Sequence, residues 1–136
     1  MMKINVGVVA LIKNEKNEVL MMLRNKKPAK GLWAIPGGKL EVFEELETSI
    51  KREIKEELNL DASVDRLLGI IEDIDHENNE HWIMPCYTIS VSGTLKNMEP
   101  TKHEEVGWVD IGGADMTKFS YMTKKVLELD LAFNLT

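Results

Sequence analysis

The sequence predicts an α+β domain in which a mixed β-sheet is sandwiched between helices. Short apolar runs rich in β-branched residues recur along the chain, and two segments with helical periodicity interrupt them. Strands interspersed with two helices favour a mixed sheet that carries a helix on each face. The length of 136 residues, without internal repeats or a long linker, predicts a single domain over residues 1–136.

Five segments have the pattern of β-strands, because they combine β-branched or apolar residues with polar turns at their ends. They are residues 4–12, 19–24, 63–74, 81–93 and 106–111. A polar turn separates the first two, so the sequence predicts a β-hairpin there. Pro85 cannot donate to a ladder, which predicts an edge position or a bulge in the fourth strand.

Two helices and one long loop complete the expected elements. Residues 25–38 contain two prolines and three glycines, which predicts a loop that continues as neither helix nor strand. The first helix is expected from about residue 44 to residue 58. The second is expected within residues 117–133, where helical periodicity returns.

Charge and composition limit the classes of function. A net charge of −6 and a pI near 5.1 argue against a general binder of nucleic-acid polymers or anionic membranes. The sequence has no apolar run long enough for a membrane span and no signal-peptide layout, so a cytoplasmic protein is expected. The single cysteine, Cys86, is expected to be a buried and unreactive thiol. A homodimer is compatible with the sequence.

The expected first helix carries its glutamates close to its apolar stripe. At about 100° per residue, the apolar positions within residues 46–58 span roughly 120° and face the core. Three carboxylates at i, i+3 and i+4 lie along one edge of that stripe. They are Glu53, Glu56 and Glu57. Oxygen ligands gathered in this way suit Mg²⁺, with Mn²⁺ as the alternative, whereas the competing interpretation is a solvated charged face.

Residues 38–60 also match a known pattern, G-x5-E-x7-R-E-U-x-E-E-x-G-U, where U is aliphatic. The matched positions are Gly38, Glu44, Arg52, Glu53, Ile54, Glu56, Glu57 and Leu60. On these residues the sequence resembles the Nudix hydrolase family. Asn59 replaces the pattern's last glycine, and asparagine is the usual substitute at a left-handed helix C-terminus. Phe43 stands where many members have a glycine.

The resemblance implies the Nudix fold, an α/β/α sandwich, and a hydrolase that acts on phosphorus-containing acid anhydrides with the help of Mg²⁺. By position in the family pattern, the metal ligands would be Glu56, Glu57, Glu53 and the backbone carbonyl of Gly38. Glu53, Glu57 and Arg52 would be catalytic. Glu53 is either a ligand or the general base, and Arg52 would orient a neighbouring carboxylate.

The resemblance also implies roles for residues outside the pattern. Some members take a further carboxylate from the loop before a late strand, and Glu104 is the first choice for that role. Arg24 and Lys39 are candidates to contact substrate phosphates. Trp33 is a candidate to stack on a nucleobase, as is Trp82, although packing is the commoner fate of tryptophan. The three histidines, His76, His81 and His103, lack zinc-ligand spacing with one another or with the cysteine, so a zinc site is not expected.

The leading functional hypothesis is Mg²⁺-dependent pyrophosphohydrolysis of a nucleoside triphosphate, a small-molecule nucleotide, to a nucleoside monophosphate and pyrophosphate. The alternative within the same class is hydrolysis of another nucleoside diphosphate derivative: a nucleotide sugar, ADP-ribose or a dinucleotide. The alternative of a different class is a regulatory module that binds nucleotides without catalysis. Retention of the pattern's arginine and glutamates favours the enzyme.

Overall fold

The computed structural model describes residues 2–134 of the protein. In chain order the elements are β1 (Asn5–Leu11), β2 (Glu18–Arg24), β3 (Trp33–Ala34), β4 (Gly37–Lys39), α1 (Leu46–Leu58), β5 (Asp61–Asp75), β6 (Glu80–Ser92), β7 (His103–Asp110) and α2 (Tyr121–Asn134). A short 3-10 helix, Met116–Lys118, precedes α2.

The strands form two sheets. The larger sheet has the order β4-β1-β6-β5 and is mixed, because β1 and β6 are parallel whereas the other neighbours are antiparallel. The smaller sheet has the order β3-β2-β7 and is antiparallel. Helix α1 packs against β1, β4 and β5, and α2 packs against β3 and β5. The expected α+β sandwich is therefore confirmed.

Alternate residues of β1 supply two separate apolar clusters. Val8 and Ala10 pack in one cluster with Ile50, Ile54 and Leu58, the apolar stripe of α1. These three α1 side chains are fully buried. Burial of one such side chain contributes about 1.5 to 3 kcal/mol, so the stripe fixes the rotation of α1 about its axis. The glutamates beside the stripe are thereby aimed at the edge of the sheet.

The second cluster lies on the opposite face of β1, where Val9 and Leu11 meet Val126 and Leu127 of α2. Cys86 belongs to this cluster and is fully buried. Burial, with the nearby negative charge of Asp130, raises the pKa of the Cys86 thiol to about 12. The thiol is therefore protonated and unreactive at neutral pH, as the sequence predicts.

The predicted hairpin of the first two strands is wrong. β1 and β2 belong to different sheets, although near the turn Lys13 pairs with Val19 and the Leu20 N–H donates to the Ile12 carbonyl. The predicted turn is present, but β1 pairs with β4 and β6, and β2 pairs with β3 and β7. A turn residue pattern fixes a reversal of the chain and does not fix which strands pair.

Two further expectations need correction. The segment 25–38 contains β3 and the start of β4, because pairing with β2 and β1 holds these short stretches extended despite the prolines and glycines around them. Pro85 lies in an interior strand, so the expected edge position is wrong. The alternative, a bulge, agrees with the β5–β6 ladder, because β5 has an irregularity between Leu67 and Gly69, opposite residues 86–87. The β1–β6 register is the same on both sides of the proline.

Helix α1 begins at Leu46, two residues later than predicted, and ends at Leu58. Asn59 takes the left-handed conformation at its C-terminus (φ 63°, ψ 22°), and its N–H donates to the Lys55 carbonyl at 3.1 Å. Phe43 also has a positive φ of 69° and is fully exposed. Asn59 and Phe43 each replace a glycine of the family pattern, and each has the positive φ that favours glycine. Neither described helix has the length and apolarity of a membrane span.

Candidate active site

Arg52 gathers the acidic groups along α1. Its Nε and Nη2 donate to the two carboxylate oxygens of Glu44 at 2.7 and 3.0 Å. Its Nη1 donates to Glu53 at 3.1 Å and to Glu56 at 3.1 and 3.3 Å, while Nη2 also reaches the Lys39 carbonyl at 3.5 Å. Paired N–H donors facing one carboxylate fix orientation as well as charge. Arg52 therefore ties the loop before α1 to the glutamates of the helix.

The Arg52–Glu44 pair stays charged over the physiological pH range. Hydrogen bonds from Arg52 lower the pKa of Glu44 to about 2, against a smaller opposing effect of burial. The same bonds raise the pKa of the Arg52 guanidinium. The fixed positive charge of Arg52 thus lies in the middle of the acidic group, where it partly offsets the repulsion between carboxylates.

Glu57 is the most buried carboxylate of the group, with 7% of its surface exposed. The Gly37 N–H donates to its Oε1 at 3.2 Å. Burial raises the pKa of Glu57 well above its usual value, the charge of Glu53 adds to this effect, and the Gly37 N–H opposes it. A negative charge held there is costly unless a cation joins it.

Glu53 lies directly against the backbone of Gly38. A Cβ atom at Gly38 would overlap the Glu53 carboxyl group, so only glycine allows this approach. Pairing of Gly38 with Val8 of β1 holds the strand in this position. Burial raises the pKa of Glu53, although the charge of Arg52 works in the opposite direction. Glu56 is more exposed, with 52% of its side chain accessible.

A further carboxylate reaches the cluster from the loop before β7, and it comes from Glu99, whereas Glu104 was expected. Glu104 is exposed on β7 and does not line the cavity beside the glutamates. The loop is attached to the end of α1, because the Met98 N–H donates to the Glu57 carbonyl at 3.1 Å. One ligand atom each of Glu57, Glu99 and His103 lie within 4.8 Å of one another.

The cluster opens into a cleft with two adjoining parts. The charged part has a volume of about 770 Å³ and is lined by Glu53, Glu56, Glu57 and Glu99, among others. The second part, about 430 Å³, is more apolar and includes Met22, Trp82 and Met84. Both parts share Arg24, Pro28, Gly37, Gly38, Lys39 and Glu57. Each part is within the range of sizes of small-molecule sites.

The structure brings three of the four candidate nucleotide-contacting residues to this cleft. Arg24 and Lys39 line both of its parts. Trp33 does not line either part, because it packs against the apolar cluster around α2. Trp82, the other tryptophan that the sequence offered, lines the apolar part and donates from Nε1 to Glu80 at 3.1 Å.

The donor atoms around the charged part fit a divalent cation. They are carboxylate oxygens from α1 and from the loop before β7. The pKa values of Glu53 and Glu57 are raised, and a bound cation would lower them again by stabilising the charged carboxylates. Oxygen donors with several open directions are typical of Mg²⁺ and Mn²⁺ sites. The residues present can therefore hold a divalent metal ion.

Comparison with known proteins agrees with this arrangement. The profile of the NUDIX domain matches residues 3–128. The chain belongs to the Nudix family, which confirms the resemblance found at residues 38–60.

Among curated relatives, the chain is 36% identical over 101 residues to an ADP-ribose pyrophosphatase of Methanocaldococcus jannaschii, covering 74% of this chain and 59% of that protein. It is 31% identical over 104 residues to a mouse 8-oxo-dGDP phosphatase, covering 74% of this chain and 31% of that protein. The matched segment thus spans less than two thirds of either relative. A solved MutT NUDIX hydrolase of Burkholderia pseudomallei superposes with a TM-score of 0.87 at 33% identity, covering 93% of this chain and 98% of that chain.

Proposed function

We propose that the protein is a Mg²⁺-dependent pyrophosphohydrolase that cleaves the phosphoanhydride link of a small nucleotide. The leading substrate is a nucleoside triphosphate, which with one water would give a nucleoside monophosphate and pyrophosphate. The observation that carries the proposal is the buried carboxylate of Glu57, held by Gly37 and set among Glu53, Glu99 and the Arg52 network. Such a group is costly in a structural role and useful in a metal site.

Mg²⁺ bound by Glu53, Glu56, Glu57 and the Gly38 carbonyl, with Mn²⁺ as the alternative, would neutralise phosphate charge and activate water. The residues of the chain contribute the rest. Arg52 holds Glu53 and Glu56 in place, and Glu53 or Glu57 would accept the proton of the attacking water. We assign the late carboxylate of the site to Glu99 in place of Glu104.

The shape of the cleft supports a nucleotide as the substrate. Arg24 and Lys39 lie where the charged and apolar parts join, so they would contact phosphates. A nucleobase would then occupy the apolar part, with Trp82 in place of Trp33 as the residue to stack on it. Asp73, which pairs with Trp82 across β5 and β6, lines the same part and offers a hydrogen-bond acceptor to the base.

One observation favours a second substrate class. The relative from Methanocaldococcus jannaschii is an ADP-ribose pyrophosphatase, and it shares 36% identity with this chain. ADP-ribose has the same phosphoanhydride link as a nucleoside diphosphate sugar, so the same carboxylates would serve its hydrolysis. The vertebrate relative named for 8-oxo-dGDP suggests including oxidised guanine nucleotides among the candidates.

The experiment is a substrate panel. The pure full chain is incubated with Mg²⁺ and with canonical and oxidised nucleoside diphosphates and triphosphates, nucleotide sugars, ADP-ribose and dinucleotides, and the products are resolved by chromatography. Glu57→Gln removes the central carboxylate, and Glu47→Gln is the matched control, because Glu47 is an exposed glutamate of the same helix.

We expect turnover of at least one member of the panel, loss of that turnover in Glu57→Gln, and unchanged turnover in Glu47→Gln. Absence of turnover with every member, under both Mg²⁺ and Mn²⁺, would reject the enzyme and favour the non-catalytic nucleotide-binding module. A single domain, a cytoplasmic location, a homodimer and the lack of binding to membranes or nucleic-acid polymers stay predictions. The molar mass in solution tests the homodimer directly.

A further inference from the structure

His103, the first residue of β7, is a buried imidazole without a protein partner. It is 1% exposed, and neither Nδ1 nor Nε2 has a hydrogen-bond partner within residues 2–134. Its backbone is well held, because its N–H donates to the Glu99 carbonyl at 3.0 Å and its carbonyl accepts from Asn97 Nδ2 at 2.7 Å. A neutral imidazole has one donor and one acceptor, and burying both unpaired is unfavourable. The arrangement therefore needs a reason other than folding.

The ring faces two carboxylates of the cleft. One ring nitrogen lies within 4.8 Å of a carboxylate oxygen of Glu57 and of one of Glu99. Imidazole binds a metal ion through a ring nitrogen that carries no proton, and both ring nitrogens of His103 are free of hydrogen bonds within the described residues. Two ligands of one transition-metal ion stand at most about 4.4 Å apart, so small side-chain rotations would bring the three atoms into range.

We propose that His103, Glu57 and Glu99 form a mixed nitrogen and oxygen site for a first-row transition-metal ion such as Zn²⁺. Imidazole nitrogen is a good ligand for Zn²⁺, whereas Mg²⁺ and Mn²⁺ prefer an oxygen-only set. The chain would therefore bind Zn²⁺ more tightly than the glutamates alone allow. This inference deepens the proposed function, and it rests on that proposal in placing a cation beside Glu57.

Sequence spacing gave no sign of this site. The three ligands come from α1, from the loop before β7 and from the first residue of β7, so only the fold brings them together. The competing explanation is an imidazole that merely fills space among its neighbours. The two explanations differ in what metal binding does to the ring nitrogens, which can be observed directly.

The first measurement uses nitrogen NMR on a variant in which His103 is the only histidine. His76→Gln and His81→Gln together remove the other two histidines of the chain, and both lie at the β5–β6 hairpin, away from the ligand group. The full chain, purified without a histidine tag and labelled with ¹⁵N, is titrated with Zn²⁺ alone. We expect a large shift of one ring nitrogen at one equivalent of Zn²⁺, and no comparable shift with Mg²⁺.

The second measurement compares affinities by titration calorimetry with Zn²⁺, Mn²⁺ and Mg²⁺ in turn. His103→Leu should weaken Zn²⁺ binding by about tenfold or more, and Mg²⁺ and Mn²⁺ binding by less than about twofold. His76→Gln, an exposed histidine change, is the matched control and should alter none of them. Circular dichroism establishes that each variant is folded.

The inference would be overturned if Zn²⁺ left the ring nitrogens of the His103-only variant unshifted. It would also be overturned if His103→Leu weakened the binding of all three metal ions equally. The NMR result on the His103-only protein decides the matter even if His103→Leu fails to fold. Turnover with Mg²⁺ measured on the same preparations separates the two proposals. If Zn²⁺ does not shift the His103 ring nitrogens but the protein hydrolyses its substrate, only the mixed site is rejected. If Zn²⁺ shifts a His103 ring nitrogen but no substrate is hydrolysed, only the hydrolase is rejected.

Discussion

Replacing Glu57 by glutamine removes a negative charge from the buried end of the acidic cluster and keeps the size of the side chain. In the metal-free protein this change should increase stability. A Glu57 carboxylate oxygen lies within 4.8 Å of one of Glu99, and two unit charges at that separation repel by about 3 kcal/mol at an effective dielectric constant of about 20. Lys102, 3.2 Å from Glu99, offsets part of this. We expect a gain of about 1 to 3 kcal/mol in the free energy of unfolding.

The stability advantage of Glu57→Gln over wild type should increase with pH. Burial, with the charge of Glu53, raises the native pKa of Glu57 well above the ordinary value of 4.5. Between 4.5 and the raised value the native state binds a proton that the unfolded state has released, so wild-type stability falls as pH rises through this window. The glutamine variant lacks this decrease. Its advantage should be absent below pH 4.5 and complete above the native pKa of Glu57.

Bound metal should reduce the stability advantage of Glu57→Gln. At a free Mg²⁺ concentration ten times the dissociation constant, binding stabilises the wild type by about 1.4 kcal/mol, whereas the variant gains little. The assay is urea unfolding followed by circular dichroism, at pH 4 and pH 8, with a chelator and then with Mg²⁺, and with Glu47→Gln as the control. A Glu57→Gln variant that is less stable than wild type in chelator at pH 8, or that is stabilised as much as wild type by Mg²⁺, would show that the Glu57 charge is neither costly in the free protein nor used to bind metal.

Three further changes test other parts of the site. Arg52→Lys removes the paired bonds to Glu44 and should weaken Mg²⁺ binding about tenfold or more by calorimetry; unchanged affinity would contradict the positioning role. Gly38→Ala forces the Glu53 carboxyl group away and should reduce turnover on the order of 100-fold without unfolding, and near wild-type kinetics would count against it. Asn59→Gly should raise the free energy of unfolding by up to about 1 kcal/mol with turnover unchanged, and a loss of stability would show that its side chain matters more than its conformation.

The local parts of the fold follow from sequence because they depend on spacing along one element. The wheel of residues 46–58 predicts a core-facing stripe, and Ile50, Ile54 and Leu58 are fully buried. It also places Glu57 at the inner edge of that stripe and Glu56 further out. The structure agrees, because Glu57 is buried whereas the Glu56 side chain is about half exposed. The left-handed Asn59 follows from the same kind of local reasoning, because a helix end has few conformations.

Features that depend on pairing between distant segments were not predictable in the same way. The reversal after β1 is visible in the sequence, but the assignment of β1 and β2 to different sheets depends on strands that come much later. Glu99 joins the cluster because the backbone of residues 96–98 bonds to the end of α1, a contact that leaves no signature in residue spacing. The sequence pattern before Trp108 favoured Glu104, whose side chain is exposed and does not line the charged part of the cleft.

The central claim is that the carboxylates around Glu57 support metal-dependent attack of water on a phosphoanhydride. The most direct test is hydrolysis, in water enriched in ¹⁸O, of the panel member that is hydrolysed fastest. The masses of the products are measured by mass spectrometry. The account predicts one ¹⁸O atom in one of the two products, formed with Mg²⁺ by wild type and by Glu47→Gln, and not formed in chelator or by Glu57→Gln. Incorporation that continues at the wild-type rate in Glu57→Gln, or in chelator, would contradict it.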